Sequence, residues 1–333
     1  MRAIAIAVLA CLAAACGRQE PYKPDQQLSG LFLVRQNGRW GYVDRQGHVQ
    51  IPFQFDAAAP FSDGLAAVSI AGRWGYIDEH GKYAINPQFA AAAAFSGGLA
   101  AVQGPAGWGF IDKAGRLVVP QQYQSPNSGP LAFSEGLVAV NRGPGTPAGY
   151  LDKNGKIAIS PQFDYALPFS QGLALIGMGN RFGFIDKSGK IVINPRYDDA
   201  SSFFDDRAAV QVNGKWGYID RSGKLVIPPQ FDAARVFSDG LALVAVGGRV
   251  GFVDRAGKLA VTPRFEAAND FAGGRAPVRL DGRWGYIDQK GNLVIRPQFD
   301  DARPLSLDLA PVEVGVAWGY VNRDGKFVWS PTA

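Results

Sequence analysis

The sequence is poor in the residues that most often carry catalysis or bind metals. It has two histidines, His48 and His80, and two cysteines, Cys11 and Cys16, in 333 residues. Neither histidine belongs to a recognisable catalytic arrangement, and two are too few for most metal sites. No phosphate-binding loop, Gly-x-Ser-x-Gly or His-Glu-x-x-His motif is present. These absences argue against an enzyme, and we expect no cofactor and no metal site.

The chain also has little excess of charge of either sign. Lys and Arg number 34 against 29 Asp and Glu, which gives a formal net charge of +5 spread along the whole chain. Proteins that bind nucleic acid usually concentrate basic residues on one face. We therefore expect no nucleic acid partner.

The longest apolar run lies at the N-terminus, where residues 3–15 are apolar or small. This is the length of a secretory signal and too short for a permanent membrane helix. The small residues before Cys16 resemble those of a bacterial lipoprotein signal, which implies removal of residues 1–15 and lipidation of Cys16. Plain secretion with cleavage after Ala15 is the alternative, and Cys11 would leave a much shorter signal.

Residues 17–30 are polar, contain two prolines and show no hydrophobic period, which predicts a flexible tether. With Cys11 removed and Cys16 lipidated, no thiol remains for a disulfide or a nucleophile. We expect a protein of the cell envelope that is held to the membrane by the lipid on Cys16. In a Gram-negative host, Gly17 favours the outer membrane, facing the periplasm or the cell surface.

The main signal in the chain is a repeat of 34 residues. A Trp-Gly pair marks six of nine copies, and Ala148, Phe182 and Val250 replace the tryptophan in the others; the six are Trp40, Trp74, Trp108, Trp216, Trp284 and Trp318. One step is 40 residues long. Its six extra residues fall within 124–147, four near 124–132 and two near 141–147, in Pro/Gly-rich segments that predict loops.

Each copy contains three runs that are typical of β-strands, with a turn between the second and third. The turn opens with Asp in eight copies and Asn322 in the ninth, and a glycine follows three residues later. Asp bonds the following backbone and glycine takes the left-handed conformation, so the pattern predicts a type I turn with a bulge. The aspartates are therefore interpreted as turn formers, since the spacing of calcium loops is absent.

The glycine after each tryptophan persists where the tryptophan is lost, which indicates close approach of another group. We expect an aromatic ring over this glycine, and we interpret the six tryptophans as structural core because valine and alanine can replace them. Asp206 and Asp308 stand where other copies have glycine, and this position predicts a positive φ.

The motif Gly-Arg-Trp-Gly-Tyr-Ile-Asp-x-x-Gly-x-x-x-Ile-x-Pro-x-Phe resembles the bacterial WG-repeat family, over about residues 31–330. The resemblance implies an all-β repeat domain, here 31–333, and no catalytic residues to carry over. Nine units of three strands differ from the usual β-propeller, which has four strands per blade and four to eight blades. We therefore predict an open, superhelical, solenoid-like array, with a closed propeller-like ring as the alternative.

Three features are candidates for function. The insertion within 124–147 is the local elaboration, and insertions in repeats often lie on a binding face. A basic column follows the turn glycine: Lys82, Arg116, Lys156, Lys190, Lys224, Lys258 and Lys326. A second column is acidic: Asp56, Asp164, Asp198, Asp232, Glu266 and Asp300.

The sequence thus favours a lipid-anchored, non-catalytic scaffold of the bacterial cell envelope that binds a protein partner. A binder of envelope glycan or anionic polymer, through the basic column, is the second hypothesis. The third is a glycan-active hydrolase that uses a pair of the acids. It is disfavoured because an active site normally breaks a repeat pattern, whereas these acids are the pattern.

Overall fold

The computed structural model describes residues 30–126 and 131–331, and the regular elements in these residues are β-strands. The predicted signal 1–15, the lipidation site Cys16 and the tether up to residue 29 lie outside the described residues, as do residues 127–130 of the insertion. Two compact units are present, one ending at Pro195 and the other comprising Arg196–Pro331.

The first five sheets contain strands of two to seven residues, which follow one another in chain order. Sheet 1 contains β1 (Phe32–Gln36), β2 (Arg39–Val43) and β3 (Val49–Phe55); sheet 2, β4 (Ala57–Ala58), β5 (Ala66–Ile70), β6 (Arg73–Ile77) and β7 (Tyr83–Phe89); sheet 3, β8 (Ala91–Ala92), β9 (Leu99–Gly104), β10 (Gly107–Asp112) and β11 (Leu117–Tyr123); sheet 4, β12 (Leu137–Val140), β13 (Ala148–Asp152) and β14 (Ile157–Phe163); and sheet 5, β15 (Tyr165–Ala166), β16 (Leu173–Met178), β17 (Arg181–Asp186) and β18 (Ile191–Tyr197).

The second unit contains four more sheets of the same design. Sheet 6 contains β19 (Asp199–Ala200), β20 (Ala208–Val212), β21 (Lys215–Ile219) and β22 (Leu225–Phe231); sheet 7, β23 (Ala233–Ser238), β24 (Leu241–Val246), β25 (Arg249–Asp254) and β26 (Leu259–Phe265); sheet 8, β27 (Ala267–Ala268), β28 (Ala276–Leu280), β29 (Arg283–Ile287) and β30 (Leu293–Phe299); and sheet 9, β31 (Asp301–Ala302), β32 (Leu309–Val314), β33 (Ala317–Asn322) and β34 (Phe327–Trp329).

Most sheets have a fourth strand that the sequence pattern does not predict. In sheet 2 it is the dipeptide Ala57–Ala58, which pairs with Ser69 and Val68 of β5. The flanking N–H group of Asp56 donates to the Ser69 carbonyl and extends the pairing. Two alanines carry no strand signature, so the prediction treats this segment as a connection. The prediction of three-stranded units is therefore wrong for seven of the nine sheets in the described residues.

Within each unit the core lies between successive sheets. Tyr76 of sheet 2 packs edge-on against Phe95 of sheet 3, with ring centroids 4.7 Å apart. Its hydroxyl donates to the Ala93 carbonyl at 2.8 Å, so one side chain provides both contacts to the next sheet. The same hydroxyl bond, to a carbonyl 17 residues later, is made by Tyr42, Tyr150, Tyr218 and Tyr286.

Four-stranded antiparallel sheets that pack face to face in chain order are the blades of a β-propeller. The prediction of an open, solenoid-like array is wrong, and the propeller alternative is closer to the structure. The error follows from the missed fourth strand, because a three-strand count moved the sequence away from the propeller pattern.

The glycine after the tryptophan lies at a bulge in the pairing of the last two strands. In sheet 1, Trp40 pairs with Phe55 and Tyr42 with Ile51, so three residues of β3 face Gly41 alone. A Cβ on Gly41 would lie 2.7 Å from the Ile51 carbonyl oxygen. Close approach is confirmed. The Phe53 ring also comes within 3.0 Å of that Cβ position, so the expected aromatic ring is present at Gly41. At Gly75, Gly217 and Gly285 the three nearest atoms are all backbone, and the expectation is wrong there.

The turn between the last two strands has the predicted chemistry. In sheet 3, Asp112 Oδ1 accepts the N–H groups of Ala114 and Arg116 at 3.0 and 2.9 Å. The N–H of Gly115 donates to the Asp112 carbonyl, and Gly115 has a φ of 78°. The turn-former interpretation is confirmed here. The hydrogen bond from the Arg116 N–H holds the pKa of Asp112 below its ordinary value.

The predicted positive φ at the two substituted glycine positions is also confirmed. Asp206 has a φ of 59° and Asp308 a φ of 74°, close to the 83° of Gly64 at the equivalent place in sheet 2. Asp tolerates this left-handed conformation better than most residues.

We expect Gly109→Ala to lower the free energy of unfolding by about 1–3 kcal/mol, the usual cost of overpacking. The new Cβ would lie 2.5 Å from the Val119 carbonyl oxygen, which the sheet holds in place. Gly104→Ala in the same sheet is the matched control, because its Cβ meets the movable side chain of Gln121. Urea unfolding of both variants checks this, and equal losses would refute it.

We expect wild type to melt above Asp112→Asn at neutral pH, and the gap to close as the pH falls below about 4. The folded pKa of Asp112 is lowered, so its contribution is present above the unfolded value and disappears as the pH falls through the folded value. Asn keeps the acceptor, as Asn322 does in sheet 9. Thermal melts from pH 2 to 7 measure the gap, and a gap that widens in acid contradicts the assignment.

Candidate functional site

The six predicted core tryptophans are distributed over different sheets rather than gathered in a common site, and five of them belong to or pack against the core between two sheets. Trp216 is 6% exposed and belongs to the core between sheets 6 and 7. Four others are half-buried against the core of their own interface: Trp40, Trp74, Trp108 and Trp284. Trp318 is half-buried, with the Arg303 guanidinium 4.3 Å from its ring centroid.

Each acid of the second column lies where one sheet ends and the next begins, and it caps the hairpin between the second and third strands of that next sheet. Asp56 Oδ2 accepts the N–H of Ala71 at 2.7 Å, and its Oδ1 pairs with Arg39. Equivalent bonds to a hairpin N–H are made by Asp164, Asp198, Asp232, Glu266 and Asp300. Carboxylates that hold a backbone turn in this way are poorly placed to act as the acid and base of a glycosidase.

The basic column and the histidines lie on exposed turns. All seven basic side chains are exposed, and each lies immediately before the last strand of its sheet. The first residue of that strand is also exposed, 55% at Leu117 and 56% at Ile157. Arg116 forms a salt bridge with Asp112 at 2.7 Å. His48 Nδ1 lies 3.2 Å from Asp44 Oδ2.

Over residues 30–126 and 131–331, no three His, Cys, Asp or Glu side chains form a group suited to a metal ion. The same residues include no helix that is long and apolar enough to cross a membrane.

Sheet 4 departs from the other sheets at both parts of the predicted insertion. Its fourth strand is reduced to one bridge. The N–H of Gln124 donates to the Asn141 carbonyl at 2.9 Å, and the N–H of Asn141 donates to the Gln124 carbonyl at 3.1 Å. The hairpin 141–147, between β12 and β13, is two residues longer than that of sheet 1. Thr146 Oγ1 closes it by donating to the Gly143 carbonyl at 2.7 Å.

A cavity of about 160 Å³ lies beside this hairpin, within the first unit. Its lining comes from sheet 3, the hairpin and all three strands of sheet 4, and is mostly apolar: Tyr123, Val140, Asn141, Arg142, Thr146, Pro147, Gly149, Tyr150, Leu151, Ile157, Ile159 and Pro161. Gly149 contributes no side chain. The cavity is therefore found where the 34-residue period is interrupted.

Two polar groups of the lining are left without partners. Asn141 Oδ1 is buried and accepts no hydrogen bond in the described part of the chain. The exposed Arg142 has no side-chain hydrogen bond or salt bridge to any described residue; its backbone N–H donates to Thr146 Oγ1 at 3.1 Å. The irregular period predicted the loop, but no sequence pattern indicated the cavity or these partnerless groups.

Sequence analysis also did not identify a buried carboxyl group in the second unit. Asp270 is 6% exposed and lies 3.4 Å from Nη2 of Arg235, and burial raises its pKa. The signal was present, because the equivalent residues of other copies are uncharged, such as Pro60, Pro168 and Val236.

The fold is shared with solved structures of low sequence identity. A crystal structure of the eukaryotic initiation factor matches 90% of this chain and 94% of its own, with 11% identity and a TM-score of 0.60. The dihydro-heme d1 dehydrogenase NirN (16% identity, 84% of this chain and 75% of that one) has a TM-score of 0.48. PorZ of Porphyromonas gingivalis, a surface component of the type-IX secretion system, has 10% identity over 89% of this chain and 45% of its own, with a TM-score of 0.36.

The first of these likenesses shows the fold alone, and the other two are too weak to support an argument. No curated protein matches the chain.

The model of the WG containing repeat matches eight segments: 40–74, 74–103, 108–143, 149–181, 182–216, 216–249, 251–284 and 284–315. The Trp-Gly pair of the ninth copy, at Trp318, lies after the last segment. Because the matched segments cover most of the sequence, this chain belongs to the WG containing repeat family.

Proposed function

We propose that this protein is a non-catalytic scaffold of the bacterial cell envelope that binds a protein partner and is held to the membrane by a lipid on Cys16. The partner is expected to bind at the cavity beside the hairpin 141–147. The observation that carries the proposal is the coincidence of this cavity with the interruption of the repeat.

The fold supports a binding role because the residues of the repeat and the residues outside it do different things. Buried side chains and capped turns are used repeatedly to join one sheet to the next, so a residue outside this pattern is free to meet a ligand. The hairpin 141–147 adds its extra residues outside the strand pairing, because Val140 still pairs with Gly149 as Val34 does with Gly41. A rigid scaffold that carries a local surface loop is a common design for recognition.

The chemistry of the described residues supports binding more than catalysis. The regularly spaced acids hold backbone turns, and the cavity contains an amide and a guanidinium but no carboxylate or histidine. Neither group is a good general acid or base near neutral pH, because an amide does not titrate there and a guanidinium keeps its proton. Family membership brings no catalytic residues.

A binder of anionic envelope polymer remains the second candidate. It is favoured by the exposure of all seven basic side chains, which lie immediately before the last strand of their sheets. Binding of that kind weakens steeply with salt, as charge neutralisation does in general.

We expect crosslinking in cells, followed by purification and mass spectrometry, to recover a reproducible protein partner with the lipidated protein. Cys16→Ser should lose the partner because it removes the anchor. Replacing residues 143–146 by Asn-Gly, the turn of sheet 1, should also lose it because the cavity loses one wall. Ala71→Asn, which gives the sheet 2 hairpin the same Asn-Gly turn, is the matched control and should keep the partner.

Recovery of only glycan or lipopolymer, or of nothing specific, would reject the scaffold and put the polymer binder first. A partner that survives the hairpin replacement would move the binding site away from the cavity.

A further inference from the structure

The cavity in the first unit has a definite chemical character. Eight of its lining residues are aliphatic, aromatic or proline side chains, and the polar ones cluster in the hairpin 141–147. Its volume, about 160 Å³, is close to that of an apolar cavity of about 150 Å³ known to bind benzene. One apolar side chain of the size of Leu or Phe therefore fits.

The two partnerless groups specify what must accompany that side chain. A buried acceptor without a donor is costly, and turning the Asn141 amide toward the cavity lets Oδ1 accept a ligand N–H. Arg142 is the charged residue of the lining and has no acidic neighbour bonded to it among the described residues, so it calls for an anion. A carboxylate is the natural choice because it matches the two-pronged guanidinium.

Resting on the proposed function, we infer that the cavity captures the C-terminal residue of a partner protein, with its apolar side chain inside, its carboxylate on Arg142 and its amide N–H on Asn141. These three groups occur together on the last residue of any chain that ends in Leu, Val or Phe. Capture of a terminal carboxylate is an established way to recognise a peptide. A fatty acid supplies the tail and the carboxylate but has no N–H for Asn141.

The test is fluorescence anisotropy of labelled hexapeptides with the full-length lipidated protein in detergent. Peptides ending in Leu or Phe with a free carboxylate should bind at least tenfold more tightly than the same peptides with an amidated end, since the amide removes a charged hydrogen bond. Peptides ending in Gly or Lys should bind weakly. Decanoate should not compete.

The variants assign each group of the ligand to a residue. Arg142→Gln should weaken binding of the free acid about tenfold and abolish the preference over the amide. Arg73→Gln removes an equally exposed charge from the sheet 2 hairpin and should change nothing. A depsipeptide, in which an ester oxygen replaces the last N–H, should bind more weakly to wild type. The depsipeptide and the normal peptide should bind the Asn141→Ala variant equally tightly.

Folding is monitored in parallel by thermal melts. Asn141→Ala should not lower the melting temperature, because it removes an acceptor that has no partner in the described residues. If Arg142→Gln melts early, Arg142→Lys, which keeps the charge, should retain most of the preference for the free acid.

Equal binding of acid and amide, an unchanged preference in Arg142→Gln, or competition by decanoate would each overturn the inference. So would an absence of peptide binding while crosslinking still recovers a protein partner that depends on residues 143–146. In that last case the proposed function stands and the C-terminal capture fails. Failure to recover any protein partner with the wild-type protein marks failure of the proposed function.

Discussion

Five interfaces between successive sheets in the described residues depend on a tyrosine hydroxyl that must find an acceptor in a buried environment. Tyr76 is fully buried, and burial raises its pKa far above the ordinary value. A buried hydroxyl without a partner is destabilising, so a carbonyl has to lie within reach of each of these tyrosines, as the Ala93 carbonyl does for Tyr76. This contact fixes a separation of 17 residues along the chain, and the strands and turns between the two groups must keep their lengths.

That constraint explains where the repeat can change. Extra residues within the 17-residue segment would break the hydroxyl bond, whereas Tyr150 and Leu167 keep the usual separation in sheet 4. The additions to this part of the chain fall before Tyr150. Four lie within 124–132, in the segment after Phe110, which has no hydroxyl to bond, and two lie in the hairpin 141–147, outside the strand pairing. The cavity and its partnerless Asn141 and Arg142 are therefore introduced without disturbing the packing between sheets 4 and 5.

The carboxylates of the repeat are likewise used in bonds within the fold. Asp112 bonds the backbone of its own turn, and Asp56 bonds the hairpin of the next sheet. A carboxylate used in this way lowers the cost of a tight turn and has little capacity left for a substrate. The residues that stand outside this network are the ones that a ligand can recruit, which is why a binding site beside the hairpin 141–147 agrees better with the molecule than a catalytic site among its acids.

The sequence by itself determined the repeat, the Asp-and-Gly turn and the positive φ at Asp206 and Asp308, because these depend on local backbone chemistry within a few residues. It also placed the insertion, because a broken period is visible without coordinates. The tertiary structure alone decided the fourth strand, since Ala57–Ala58 becomes a strand only when β5 offers its edge. It likewise decided what approaches Gly41 and what surrounds Asn141, because both depend on residues that the fold, and not the local sequence, brings together.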